Sequence, residues 1–293
     1  MTSTPARPVS PTIELTLAEK RARLTDILRG YGSLIVAYSG GVDSAFLTAV
    51  AQETLGNKSI AITAHSPSLS EDELIDAVDL AKKQLWNHRV IITDEINDPR
   101  YAANDLQRCF FCKTELYTHL IDIARSEGWD QVANGTNADD LGDFRPGLEA
   151  ARDFTVRSPM VEAGLTKADI RALSKEMDLP VWDKPAMPCL SSRIAYGVEV
   201  TTERVKRVDL AEHYLREEFG LVEFRVRHMA DELARIEVSL DLLPRILEPD
   251  NRQAITTKLQ HLGFAFVTID LQGFRSGSLN SVIPVDELQL LGD

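Results

Sequence analysis

The sequence predicts an α/β fold, a doubly wound parallel sheet followed by a smaller C-terminal α+β domain. Three observations predict it. Short β-branched runs alternate with helical stretches from about residue 15 to about residue 180, several of those runs are apolar on both faces, and the rhythm changes after a proline-rich segment. Alternating strand and helix call for a parallel sheet, and strands apolar on both faces need helices covering both sides. At 293 residues the chain is long enough for about two domains.

Residues 1–14, rich in Pro, Ser and Thr, read as a disordered lead-in. The first domain, 15–185, is expected to contain strands at 33–38, 59–64, 89–93 and 131–134, with helices at 44–55, 70–85 and 113–127 between them. Pro180, Pro185 and Pro188 fall within nine positions, so 186–200 reads as a junction loop. Beyond it, 201–293 should hold a helix at 202–219, strands at 223–228 and 233–238, a helix at 252–262 and a strand at 264–270. That order predicts a small antiparallel sheet with its helices on one face.

Composition narrows the function classes. With 32 Lys+Arg against 45 Asp+Glu the formal charge is −13, which argues against a surface built to track nucleic acid or anionic lipid. Three cysteines are too few for a disulfide scaffold and leave one thiol unpaired, so a reducing, cytoplasmic setting is expected. No stretch approaches the ~18 apolar residues of a membrane span, and the first residues lack the apolar centre of a secretion signal.

Ser39-Gly40-Gly41-Val42-Asp43-Ser44 follows the first strand and opens a helix. Adjacent glycines let backbone N–H groups converge on an anion, and a helix N-terminus adds donors and a favourable dipole. Ser39 and Ser44 suit phosphate oxygens, and Asp43 suits a divalent ion on a polyphosphate. The lysine of the kinase-type phosphate loop is absent here. A Gly-Gly turn with serine caps is the plain alternative. SGGVDS resembles the pyrophosphatase loop of the N-type ATP pyrophosphatases, which include GMP synthetase, NAD synthetase and tRNA thiolases. The resemblance implies Mg2+ and ATP, bound by Ala37, Ser39, Gly40, Gly41, Asp43, Ser44, Ser66 and Gly135, with transfer of AMP to an acceptor oxygen. Ser66 ends the second strand at the edge where such sheets take ligands. Asn134 to Asp140 ends a later strand there, with Asp139 and Asp140 either metal ligands or parts of an Asx-rich turn.

Cys109 and Cys112 form a C-x-x-C, and Cys189 lies in the junction. Three thiols leave several readings: a zinc site completed by His119 or His88, a 4Fe–4S cluster with one open iron, or two buried thiols with Cys189 acting alone. Three more stretches join the loop and Gly135-Thr136-Asn137-Ala138-Asp139-Asp140. These are Arg108-Cys109-Phe110-Phe111-Cys112-Lys113, Arg145-Pro146-Gly147 and Pro188-Cys189-Leu190-Ser191-Ser192-Arg193-Ile194. Together they resemble the LarE sulfur transferases of nickel-pincer nucleotide biosynthesis over nearly the whole chain.

That resemblance implies adenylation and thiolation of the carboxylates of pyridinium-3,5-biscarboxylic acid mononucleotide. In members with three cysteines it implies a 4Fe–4S cluster on Cys109, Cys112 and Cys189, carrying sulfide from a sulfur donor. In members with one cysteine, the residue matching Cys189 is consumed. It further implies a homo-oligomer, dimers assembled into a hexamer, whose C-terminal domain binds substrate. Strand periodicity puts Arg225 and Arg227 on one face, and a solvated face is the plain reading. The resemblance makes Arg225, Arg227 and Arg275 ligands of the mononucleotide phosphate, with Ser192 and Arg193 orienting the substrate. Glu212 and Glu237 are candidates for a metal near an interface. A tRNA thiolase and a nucleotide-binding zinc or redox sensor are the rival functions.

Overall fold

The computed structural model describes residues 15–142, 146–185, 187–275 and 278–279. The lead-in at 1–14 and Arg145 lie outside the described residues.

Helix α1 (Leu17–Gly30), strand β1 (Leu34–Ala37), α2 (Val42–Leu55), β2 (Ser59–His65), α3 (Glu71–Lys83) and β3 (His88–Ile92) open the first lobe. Then come α4 (Pro99–Ala102), α5 (Arg108–Glu127), β4 (Gln131–Ala133), α6 (Pro146–Asp153), α7 (Pro159–Glu162) and α8 (Lys167–Glu176). The four strands pair in parallel in the order β3-β2-β1-β4. Alternate residues of β1 face opposite cores. Leu34 and Val36 pack with Leu28, Phe46 and Leu173 of α1, α2 and α8, whereas Ile35 packs with Tyr117 and Leu120 of α5. This is the doubly wound arrangement predicted, and its order reverses beside β1, the position where such sheets bind ligands.

The second lobe holds α9 (Thr202–Phe219), β5 (Phe224–Met229), β6 (Leu233–Val238), α10 (Leu243–Ile246), α11 (Pro249–His261) and β7 (Phe266–Ile269). Val205, Val208, Ala211, Leu215 and Phe219 make one stripe of α9 that packs with Phe224 and Val226 of β5 and Ile236 of β6. The predicted antiparallel sheet is mixed: β5 and β6 are antiparallel, but β7 runs parallel to β6. The cause is the link between β6 and β7, which passes through α11 and so returns the chain in the same direction. The core of this lobe also takes in Tyr101, Leu190 and Ile194, so the junction is anchored in it. Among the described residues no helix is long and apolar enough to cross a membrane.

His228 is fully buried between Phe264, Arg207 and Glu232. Burial, more than any neighbour, holds its pKa below the ordinary 6.5. The unfolded chain therefore takes up a proton near 6.5 that the folded chain refuses, and stability present above that pH is lost as pH falls below it. Urea midpoints should drop between about pH 7.5 and about pH 5.5, with a shallower drop in His228→Asn. Equal slopes in the two proteins would contradict this.

Candidate active site

The phosphate loop sits between β1 and α2 because two glycines permit it. Gly40 has φ of 76°, and a Cβ there would lie 2.8 Å from the Ala77 Cβ. A Cβ on Gly135 would lie 3.0 Å from the Ser44 nitrogen, so only glycine lets the segment after β4 close against the loop. The Ser39 nitrogen donates to the Ser44 Oγ at 3.1 Å, and Ser44 Oγ donates to the Gly41 carbonyl.

Around this loop lies a cavity of about 690 Å³. Its wall takes in Ala37, Ser39, Gly41, Asp43, Ser44, Ser66 and Gly135 together with Asp139, Asp140, Cys112 and Cys189. Gly40 shapes the loop without lining the cavity, and Cys109, Ser192, Arg193, Arg225, Arg227 and Arg275 are also outside the wall.

Sequence reasoning missed two lysines and a glutamate in that wall. Lys167 opens α8 and pairs with Asp43 from 124 positions away, while its backbone nitrogen donates to Asp139 at 2.8 Å. The cation absent from the loop is thus supplied by a different segment. The other Asp43 oxygen, Oδ1, is buried without a partner among the described residues, which fits a magnesium ion carried by a polyphosphate. Lys113 lies among the thiols. Burial opposes its charge and that of Arg108, and the acidic side chains around them, Cys109 and Cys189 included, hold both pKa values up. The third, Glu95, follows β3.

The helix carrying the C-x-x-C starts at Arg108, five residues earlier than predicted, so Cys109 and Cys112 sit one turn apart in α5. Its boundary was hidden because Gln107 makes no side-chain cap. Cys109 and Cys189 are exposed. The Cys112 thiol is pushed up to about 12, first by burial and then by Glu95. By donor type the three thiols suit an iron–sulfur cluster, and Arg108 and Lys113 are the positive charges that favour thiolates. Among the described residues they do not stand as a closed three-ligand group. His88 and His119 are engaged elsewhere, with Thr63 at 2.9 Å and Glu115 at 3.1 Å.

The turn bearing Cys189 is clamped from both lobes. From the first, Arg108 donates to the Ser191 carbonyl at 2.9 Å, the Leu190 nitrogen donates to Ser68, and Tyr101 donates to the Ser191 hydroxyl at 2.7 Å. From the second, Glu212 of α9 takes two bonds of 3.1 Å from Arg193, which is 1% exposed. The same guanidinium donates to the Pro188 and Cys189 carbonyls and the Ser192 hydroxyl.

Arg225 and Arg227 share a strand face as predicted, but that face is buried, not solvated. Arg227 pairs with Glu237 at 2.8 Å and donates to the Ser192 carbonyl. Burial and then Arg193 and Arg227 press the Arg225 pKa down to about 10. Arg275 is about half exposed and lies 3.7 Å from Asp270. Glu212 and Glu237 are thus occupied by arginines.

A family model described as NAD synthase matches residues 19–108. An uncharacterised protein of Synechocystis is 42% identical over 89% of the chain and 98% of its own length. The pyridinium-3,5-bisthiocarboxylic acid mononucleotide synthase of Lactiplantibacillus plantarum is 35% identical over 93% of the chain and 98% of its own. An uncharacterised protein of Methanocaldococcus jannaschii is 33% identical over 83% of the chain and 91% of its own.

Removing one partner of a buried ion pair strands the other charge. Glu212→Ala should cost about 3–5 kcal/mol of unfolding free energy. The milder Glu212→Gln should speed alkylation of Cys189 by iodoacetamide while the protein stays folded. An unchanged rate at Cys189, followed by peptide mass spectrometry, would show that the clamp does not hold the turn.

Proposed function

The chain belongs to the LarE family, and on that premise we propose that it is an ATP-dependent sulfur transferase of nickel-pincer nucleotide formation, acting on the carboxylates of pyridinium-3,5-biscarboxylic acid mononucleotide. One observation carries the reading: Cys189 and Cys112 line the same cavity as the phosphate loop. Adenylation and sulfur delivery can then share one bound intermediate.

ATP lies with its phosphates on the backbone N–H groups of the loop and its base toward Ser66. Asp43, whose Oδ1 is buried without a partner among the described residues, would hold the magnesium ion of the nucleotide. A substrate carboxylate oxygen attacks the α phosphorus; the new P–O bond forms as the α–β bridge breaks, and pyrophosphate leaves with that electron pair. Lys113 and Lys167 offset charge building on the phosphates. Hydrosulfide then attacks the acyl carbon, AMP departs with the C–O electrons, and loss of the S–H proton leaves a thiocarboxylate. Two carboxylates require two rounds.

Cys109, Cys112 and Cys189 would hold a 4Fe–4S cluster, whose open iron supplies a place for sulfide. Arg193 and Ser192 act through the turn, fixing where Cys189 stands. Arg225, Arg227 and Arg275 are the proposed phosphate ligands of the mononucleotide, supported by the crowding of Arg225 against Arg193 and Arg227. The net charge of −13 supports a small-molecule substrate over RNA. A homo-oligomer in the cytoplasm is the proposed working form.

The position of Cys109 outside the cavity wall favours a second mode, in which Cys189 gives up its own sulfur. Anaerobic protein, reconstituted with iron and sulfide, separates the two. The cluster mode predicts about four irons per chain, their loss in Cys109→Ser, and several sulfurs transferred per chain. Transfer of a single sulfur, with Cys189 lighter by one hydrogen sulfide, would contradict it and establish the second mode.

Asp43→Asn should lower the rate of pyrophosphate release by at least about a hundredfold. A rate near wild type would remove Asp43 from the reaction.

A further inference from the structure

Glu95 has no part in the chemistry above, yet its position is unusual. It begins a short 3-10 turn just after β3, at the ligand edge of the sheet. The turn is anchored: Ile96 is buried in the core of the second lobe, and the Thr93 nitrogen donates to the His65 carbonyl at 3.1 Å. Glu95 is 4% exposed and lines the cavity. No hydrogen bond or ion pair reaches its carboxylate among the described residues. Neither lysine of the wall pairs with it: Lys167 is on Asp43 and Lys113 lies among the cysteines. Cys112 is the neighbour on which the charge of Glu95 tells.

A carboxylate without a counter-charge is out of place in the wall of a cavity meant for polyanions. ATP, pyrophosphate, the substrate carboxylates and sulfide would all be repelled by it. The proposed substrate has one group of opposite sign, the fixed positive charge of its pyridinium ring. We propose that Glu95 recognises that cationic ring, selecting a pyridinium over a neutral ring of the same shape and turning its carboxylate toward the phosphate loop and the thiols. This rests on the substrate reading above.

The test uses the full chain and two probes, a pyridinium-3-carboxylate mononucleotide and its 1,4-dihydropyridine form, which keeps the ribose phosphate and carboxylate but loses the ring charge. Calorimetry should show wild type binding the cationic probe about tenfold or more tightly than the neutral one. In Glu95→Gln the cationic probe should weaken until the preference disappears, with binding of the neutral probe and of ATP unchanged. The ligand-free variant should melt at the same or a higher temperature, because no hydrogen bond or ion pair of the carboxylate is lost with the charge. A preference retained in Glu95→Gln would overturn this proposal alone, and so would a fall in melting temperature together with lost ATP binding. Failure of wild type to bind either probe would overturn the substrate reading and this proposal with it.

Discussion

The buried pair between Arg193 and Glu212 is the interaction on which the rest of the site depends. Its guanidinium holds two carbonyls of the Cys189 turn on one side and a carboxylate of α9 on the other. Glu212 also accepts from the Val226 nitrogen at 3.0 Å, so one carboxylate ties the turn to both a helix and a strand of the second lobe. An ion pair so deep gains little net stability against an apolar replacement of the same volume, because both charges are desolvated. What it supplies is position: a proline-rich junction whose regular structure is one 3-10 turn, Leu190–Arg193, carries a thiol at a defined place in the cavity wall.

Position matters because the two halves of the proposed chemistry come from distant parts of the chain. The phosphate loop follows β1, while Cys189 stands at the border with the second lobe. The first lobe meets the turn through Ser68, Tyr101 and Arg108: the Ser68 carbonyl and the Arg108 guanidinium bond its backbone at Leu190 and Ser191, while the Ser68 and Tyr101 hydroxyls meet the Ser191 hydroxyl. Asn104, fully buried with φ of 56°, adds bonds to the carbonyls of Ala195 and Val198 at 2.8 Å. In the proposed reaction, loosening either side would let the acyl adenylate meet water before it meets sulfur.

The phosphate loop was legible in the sequence because its glycines, serines and aspartate stand in six contiguous residues, and the parallel sheet because strands apolar on both faces have few other uses. Arg225 and Arg227 were correctly placed on one face by strand periodicity, but their burial was not legible, since Arg227 is covered by Glu237 of the neighbouring strand and by Ser278, which lies beyond β7. Lys167 and Glu95 carry no local signature; each reaches the cavity only because the fold brings a remote segment to the ligand edge. The parallel pairing of β7 was missed for a similar reason, the strand being readable but the path of α11 not. Arg193 looked like a substrate ligand beside Cys189, and its neighbour Glu212 lies a helix away in sequence.

The most direct test follows the oxygen that an acyl adenylate must surrender. With the carboxylates of the pyridinium mononucleotide labelled with heavy oxygen, anaerobic turnover with ATP and sulfide should place one labelled oxygen in each AMP released, in step with each sulfur gained by the product. Unlabelled AMP, or label found in pyrophosphate, would contradict a reaction in which the substrate carboxylate is adenylated and then displaced by sulfur within this one cavity.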